Sequence, residues 1–463
     1  MNIIFISPEC FPFAKSTGLA DIVASLVKGI EKEGHNVKLI LPRYGSIDPA
    51  YFQIEHMPNE FNFSFQGNST LSIVYKGILP DSLVSVFLID NQYFFSNSKE
   101  IYISESEDYK RFDFFSNAAL NLISALNLTP DVIHLFDSYT AGCLKLLKEK
   151  SKLKNFKNTK LIFTLGNHSR FKKEFANLTL EGIKYADYVT VPSESYAKEL
   201  VLDKKNPLLS EALSKKKELF TGMTIAVDAD SYNPESDINI AQNYSKNYFT
   251  AGKKKCKERI LEELKFECDL KAPLFSCALN LVSEDGTDIL LKAIPSLLGM
   301  NLKLIIIGKG EKECENNLKN LEQKNGNFKF INFNDHILGK KIFAGSDFLI
   351  STLKHDPCDM SLLIGMKYGA VPVAYFSSNV KDIVIDIDDT EPNGFIFKEH
   401  SKDGLIKAVN KAISYYKDRE KWLKIVKNSM NFDSTIIQNI KEYINLYNEK
   451  ERQKERKLCQ EQK

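Results

Sequence analysis

Asn2-Ile3-Ile4-Phe5-Ile6-Ser7 opens the chain, and what surrounds this run decides the fold. A short, Ile-rich apolar run of this kind reads as a buried β-strand. A turn-rich stretch carries it into residues 21–32, where apolar side chains recur at helical spacing, and beyond Gly34 comes a second apolar run at 37–41. Strand, helix and strand in that order predict a parallel pair with a crossover helix and strands buried on both faces. Working outward, the alternation repeats. Residues 84–89, 132–135, 160–164 and 188–191 read as further short strands, with helices at 112–126 and 193–202. A Lys-rich helix at 253–264 then introduces a second series. Its strands are expected at 274–281, 302–307, 328–333, 348–351, 371–375 and 394–397, and its helices at 287–298, 312–324 and 361–368. Two such arrays predict an α/β protein of two doubly wound, Rossmann-like domains, whose ligands sit at strand carboxyl ends. The boundary is expected near 232–250, a polar stretch with a Pro and no clear period. This gives domains at 1–240 and 241–435, followed by a helix and polar tail at 436–463.

The composition narrows the function classes. The chain has 463 residues, with 62 Lys and Arg against 60 Asp and Glu, and a net charge of +2. The charges are interspersed, so neither nucleic acid nor an anionic membrane surface is an expected partner. The eight cysteines (10, 143, 256, 268, 277, 314, 358, 459) show no CxxC or Cys/His spacing. Neither a disulfide framework nor a metal site is indicated. The opening apolar run is too short for a signal peptide, and no stretch approaches the ~18 apolar residues of a membrane span. A cytoplasmic location is expected.

Three segments could carry chemistry. Lys15-Ser16-Thr17-Gly18-Leu19-Ala20-Asp21 occupies the first strand-to-helix turn, where backbone amides and a lysine could hold a phosphate; a simple helix cap fits the same residues. Gly308-Lys309-Gly310 follows a strand and reads mainly as turn chemistry. Lys354-His355-Asp356-Pro357-Cys358-Asp359 also follows a strand. There Asp356 could act as an acid or ligand contact, or the segment could be an Asx turn that caps a helix. His35, His56, His168 and His400 form no cluster in the sequence.

Over nearly its whole length the chain resembles the bacterial glycogen synthase and plant starch synthase family. ISPECFPFAKSTGLADIVASL and GHNVKLILPRY resemble that family's first strand, its Lys-x-Gly-Gly-Leu-Ala-Asp turn and its second strand. EDYKRFDFFSNAAL, DVIHLFDSYTAG, YADYVTVPSESYAKEL and MTIAVDADSYNPESD follow in family order. So do AGKKKCKERILEEL, AGSDFLI, DPCDMSLLIGMKYGAVPVA, GFIF and Trp422. The resemblance implies a GT-B architecture, two Rossmann-like domains facing a cleft with a C-terminal helix that crosses back to the first. It implies a metal-independent, retaining transfer of glucose from ADP-glucose to an α-1,4-glucan, with no cofactor.

Carried over by position, Lys15 matches the family's phosphate-contacting lysine and Gly18 its second glycine. Asp21 and Asp137 match acidic residues near the donor, and Tyr368 the tyrosine of Tyr-Gly-x-x-Pro. Other positions depart. Thr17 stands at the first glycine, and a β-branched residue there obstructs close approach of a phosphate. Asn280 and Asp285 replace the Arg and Lys that cradle the leaving diphosphate. Gly166 takes the place of an active-site His, Phe136 and Tyr139 of two further histidines, and Ser138 of a Trp. Asp356 replaces a Glu, Asp359 a Gly, and Ser377-Ser378-Asn379 a Thr-Gly-Gly; the region from 168 to 181 is shorter than the family's acceptor-side insertion.

Each lost stabilising group typically costs ~10²–10³ in rate, and a shifted carboxylate ~10². The expectation is therefore a glycogen synthase-like protein with attenuated or absent catalysis. It would act by binding a glucan, a nucleotide sugar or an active synthase partner. The alternatives are an active glucosyltransferase elongating α-1,4-glucan, supported by Lys15, Asp21 and Asp137, and a GT-B enzyme with a changed acceptor.

Overall fold

A computed structural model describes residues 1–58, 61–148, 153–166, 173–224, 227–228, 230–281, 286–332, 336–354, 359–432 and 439–448. The chain divides into two units, Met1–Asp228 with Ile436–Lys463, and Ala229–Thr435.

The first unit begins with β1 (Asn2–Ile6), α1 (Leu19–Lys32) and β2 (Asn36–Pro42). It continues through β3 (Glu55–His56), β4 (Phe61–Phe65), β5 (Asn68–Ile78), β6 (Ser85–Asp90), α2 (Glu105–Ala125), β7 (Val132–Phe136) and α3 (Ala141–Leu146). The remaining elements are β8 (Lys160–Thr164), α4 (Lys173–Tyr185), β9 (Tyr188–Val191), α5 (Glu194–Leu202), α6 (Pro207–Lys216) and β10 (Phe220–Gly222). The sheet runs β10-β9-β8-β7-β1-β2-β6-β5-β3, with β4 paired to β5. From β10 to β6 every pairing is parallel, with Ile4 opposite Lys38 of β2 and Ile133 of β7. All residues of β7 and β8 are buried, as strands covered on both faces require.

One part of the sheet differs from the expectation. Residues 55–78 pair antiparallel, β5 lying between β6 and the short strands β3 and β4. The signal was local: Phe61, Phe63 and Phe65 alternate with polar residues, and Gln66 and Gly67 both take positive φ (50° and 81°) in the tight turn.

Residues 439–448 belong to the first unit. The Tyr447 hydroxyl lies 2.7 Å from Nδ1 of His134, and Lys160 Nζ donates to the carbonyls of Leu446 (2.9 Å) and Tyr447 (2.7 Å). Gly29 of α1 is also closed over by Ile440, whose Cδ1 would lie 2.5 Å from an added Cβ.

The second unit comprises α7 (Phe249–Glu263), β11 (Leu274–Leu281), α8 (Thr287–Leu298), β12 (Lys303–Gly310), α9 (Lys312–Lys324), β13 (Phe328–Asn332) and α10 (His336–Gly345). It ends with β14 (Phe348–Ser351), α11 (Met360–Lys367), β15 (Val371–Tyr375), α12 (Ser378–Ile383), β16 (Phe395–Phe397), α13 (Lys402–Lys417) and α14 (Arg419–Asn431). Its sheet is parallel throughout, in the order β13-β12-β11-β14-β15-β16. The strand order reverses between β11 and β14, the position at which doubly wound sheets bind ligands.

Residues 230–240, read from sequence as the end of the first domain, pack within the second unit. Asp237 accepts the hydroxyl of Tyr368, and Lys340 donates to the Ser231 carbonyl. Tyr244 in turn donates to the Tyr368 carbonyl at 2.8 Å. The polar composition that looks like a linker supplies buried hydrogen bonds instead.

Candidate functional site

In the first unit the residues singled out from sequence gather where β1, β7 and β8 end. Glu9, just past β1, is completely buried. Its Oε2 accepts the amides of Ser16 (2.7 Å) and Thr17 (2.9 Å), and its Oε1 accepts the hydroxyls of Thr17 and Tyr102, the latter at 2.9 Å. Two amides that the sequence offered to a phosphate are thus bonded to a carboxylate. The loop they belong to is held in one shape ahead of Gly18, the N-terminal boundary of α1. Lys15 leaves the same loop to pair with Asp21 at 2.7 Å, and its Nζ lies 5.6 Å from the Phe11 ring centre.

Asp137 follows β7 and is 2% exposed. Its backbone has φ 64° and ψ 166°, a region that side chains other than glycine occupy only when the surroundings impose it. The imposing contacts are the Asp137 amide donating to the Thr164 carbonyl (2.8 Å) and Oδ1 accepting the Ser138 amide (2.7 Å). Gly166, past the end of β8, is the neighbour of this carboxylate: a Cβ there would lie 3.2 Å from Asp137 Oδ2. Phe136 turns into the core, stacked at 4.4 Å on His134. Tyr139 stacks on Tyr102 at 4.7 Å and meets Phe175 at 4.8 Å. Tyr102 therefore couples the Glu9 loop to the segment after β7.

Glu9, Tyr102 and His134 are parts of this site that do not stand out along the sequence. Tyr102 has no linear pattern; His134 stands in the quoted segment DVIHLFDSYTAG, but its partners Tyr447 and Thr164 lie far along the chain, and Glu9 was visible only as an acid beside a turn. His134 sits fully buried between the Tyr447 hydroxyl and Thr164 Oγ1 (2.6 Å), and burial pushes its pKa down to about 3.

In the second unit Asn280 is exposed near the end of β11 and stands in register with Lys309 of β12. Gly286 precedes α8 at φ 99°, pressed against the Thr352 carbonyl that follows β14. Asp359 is buried and caps α11, accepting the Ser361 (3.1 Å) and Leu362 (3.2 Å) amides and the Ser351 hydroxyl (2.6 Å). Burial raises its pKa. Ser377 caps α12. Tyr368 is buried, with its hydroxyl bound to Asp237 and its carbonyl accepting Lys253 at 2.9 Å. Asp285 and Asp356 lie outside the described residues, as do His168, Cys358 and residues 449–463.

Among the described residues, six cysteines are free thiols and no cluster of His, Cys, Asp and Glu is placed to hold a metal. None of the helices there is long and apolar enough to cross a membrane. A groove of about 900 Å³ runs along α7, but Lys255, Arg259 and Lys341 in it each pair with a carboxylate of the same groove.

Known proteins resemble this chain over most of its length. Residues 2–215 match the starch synthase catalytic domain, and residues 262–429 match glycosyl transferases group 1. The glycogen synthase of Clostridioides difficile is 30% identical, over 96% of this chain and 99% of the relative. That of Alkaliphilus metalliredigens is 29% identical over the same shares. Among solved structures, the catalytic domain of starch synthase IV from Arabidopsis thaliana, bound to ADP and acarbose, superposes with a TM-score of 0.88 at 25% identity, covering 97% of this chain and 99% of that one. Sucrose-phosphate synthase from Thermosynechococcus elongatus shares the fold at a TM-score of 0.66 and 12% identity, covering 97% and 99%. The two α/β units are the GT-B fold, and the chain belongs to the glycogen and starch synthase family of glycosyltransferases.

Proposed function

We propose that this protein binds a nucleotide sugar and an α-glucan and transfers glucose between them slowly or not at all. The binding half rests on the fold it shares with a starch synthase that holds ADP and acarbose, and on the ordered loop that carries Lys15. The observation that carries the slow transfer is the bare backbone of Gly166 against Asp137. The resemblance puts an active-site imidazole there, and this chain has only a hydrogen atom.

Retaining transfer builds positive charge on the sugar and negative charge on the leaving diphosphate, so its rate depends on fixed charges at both places. Asn280 offers a neutral amide where the resemblance puts a guanidinium. No metal or cofactor is given a part in this reading; the partners are the nucleotide sugar, the glucan and, for a chain acting by binding alone, an active synthase.

Purified protein given radiolabelled ADP-glucose or UDP-glucose with glycogen is expected to incorporate little or no label. In calorimetry it is expected to bind ADP or UDP and maltooligosaccharides. Turnover near an ordinary ~10 s⁻¹ would sink the attenuated reading.

A further inference from the structure

The last residues of β12 are Gly308, Lys309 and Gly310, paired one to one with Leu279, Asn280 and Leu281 of β11. Both flanking glycines are required. A Cβ at 308 would lie 2.6 Å from the Leu279 carbonyl oxygen, and one at 310 would lie 2.1 Å from that of Leu281. No side chain fits either place, so β12 is pressed against the end of β11, and Lys309 carries the single side chain of this tripeptide. The amide of Glu311 closes the register on the Leu281 carbonyl at 2.8 Å. In-register neighbours on parallel strands are about 4.8 Å apart and project to the same face. Lys309 and Asn280 therefore stand side by side, both exposed, at the carboxyl end of the sheet and next to the point where its strand order reverses. Glu315 of α9 accepts the Gly310 amide (3.1 Å) and the Asn332 side-chain amide (3.2 Å).

We infer that Lys309 is a contact for the diphosphate of the nucleotide sugar, supplying from β12 a positive charge that Asn280 on β11 does not. The inference rests on the nucleotide-sugar reading above and deepens it. A lysine is a flexible point charge with three donors, able to reach a phosphate oxygen from a strand end that is itself fixed. A relocated cation of this kind fits a protein that keeps its donor while lacking the geometry for fast transfer. A guanidinium binds a diphosphate in a planar fork, whereas an ammonium neutralises it without fixing its orientation.

The test is calorimetric titration of the full-length protein with ADP and UDP, following whichever binds more tightly. Lys309→Met is expected to weaken binding at least about tenfold, the size of one charge-assisted hydrogen bond. Lys309→Arg should stay within about threefold of the unaltered protein. Lys319→Met, which removes the same charge from an exposed position on α9, should leave the affinity unchanged. Lys309 is exposed, so the variants are expected to fold, and equal melting temperatures would verify it. Affinity of Lys309→Met equal to that of the unaltered protein would overturn the inference while leaving the nucleotide-sugar reading intact. An equal loss in Lys319→Met would overturn it too, since the effect would then be one of net charge. Failure of the unaltered protein to bind either nucleotide would overturn both.

Discussion

Glu9 holds Thr17 by backbone and side chain at once: the Thr17 amide donates to Oε2 at 2.9 Å and its hydroxyl to Oε1. With the Ser16 amide and the Tyr102 hydroxyl, this fully buried carboxylate accepts four hydrogen bonds. A β-branched residue in the turn, which from sequence reads as an obstruction to phosphate, is here part of what orders the loop that presents Lys15. Glu9→Gln keeps the shape, removes the charge and turns one acceptor into a donor. It is expected to lower the unfolding free energy by about 1–3 kcal/mol. Hydrogen exchange at the Ser16 and Thr17 amides should speed up in parallel; protection equal to that of the unaltered protein would show that the carboxylate does not hold the turn.

Gly286 and Gly34 separate two costs of replacing a glycine. Both have positive φ, 99° and 85°, but a Cβ at Gly286 would lie 2.0 Å from the Thr352 carbonyl oxygen, while nothing lies within 4 Å of one at Gly34. Gly34→Ala should cost about 1 kcal/mol of backbone strain, and Gly286→Ala at least ~1 kcal/mol beyond that. Denaturant unfolding of the two variants measures the difference, and equal losses would contradict the close approach at Thr352.

His134 gives the fold a defined pH dependence. Burial lowers its pKa from 6.5 to about 3, so the folded protein keeps it neutral across that interval. Below pH 6.5 the unfolded chain takes up a proton that the folded chain refuses. This contribution to stability is complete above pH 6.5 and is lost as the pH falls toward 3, by up to about 1.4 kcal/mol per unit. Urea unfolding at pH 7, 5.5 and 4.5 should show a shallower decline in His134→Gln than in the unaltered protein. An identical slope would mean that this imidazole is not the titrating group.

Lys257 and Asp347 form a buried pair at 2.6 Å, in which the same carboxylate oxygen also accepts the Leu274 amide at the start of β11. Lys257→Met leaves a buried carboxylate without its cation and is expected to destabilise the protein by about 3–5 kcal/mol. Adding Asp347→Asn should recover part of that loss. A double variant no more stable than Lys257→Met would place the cost in packing rather than in charge.

Most of the parallel strands of both sheets were legible along the chain, because strands buried on both faces must be short continuous apolar runs and crossover helices must carry an apolar stripe. Gly166, Asp137, Lys15 and Asn280 were legible as positions by resemblance, since motif spacing survives in linear order. The hairpin of β4 and β5 was missed although Gln66 and Gly67 mark its turn. The role of 230–240 was missed because polar residues signal a linker until their partners are known.

What the sequence determined by itself is the alternation of strand and helix, the family, and which residue types stand at the strand ends. Only the tertiary structure decided which carboxylate meets the amides of the first turn, that Tyr447 reaches His134 across 313 positions of sequence, and that Lys309 stands beside Asn280. The physical reason is that apolar periodicity is a property of neighbouring residues. Hydrogen bonds and charge placement depend on strand order and register, which bring together residues that no local pattern connects.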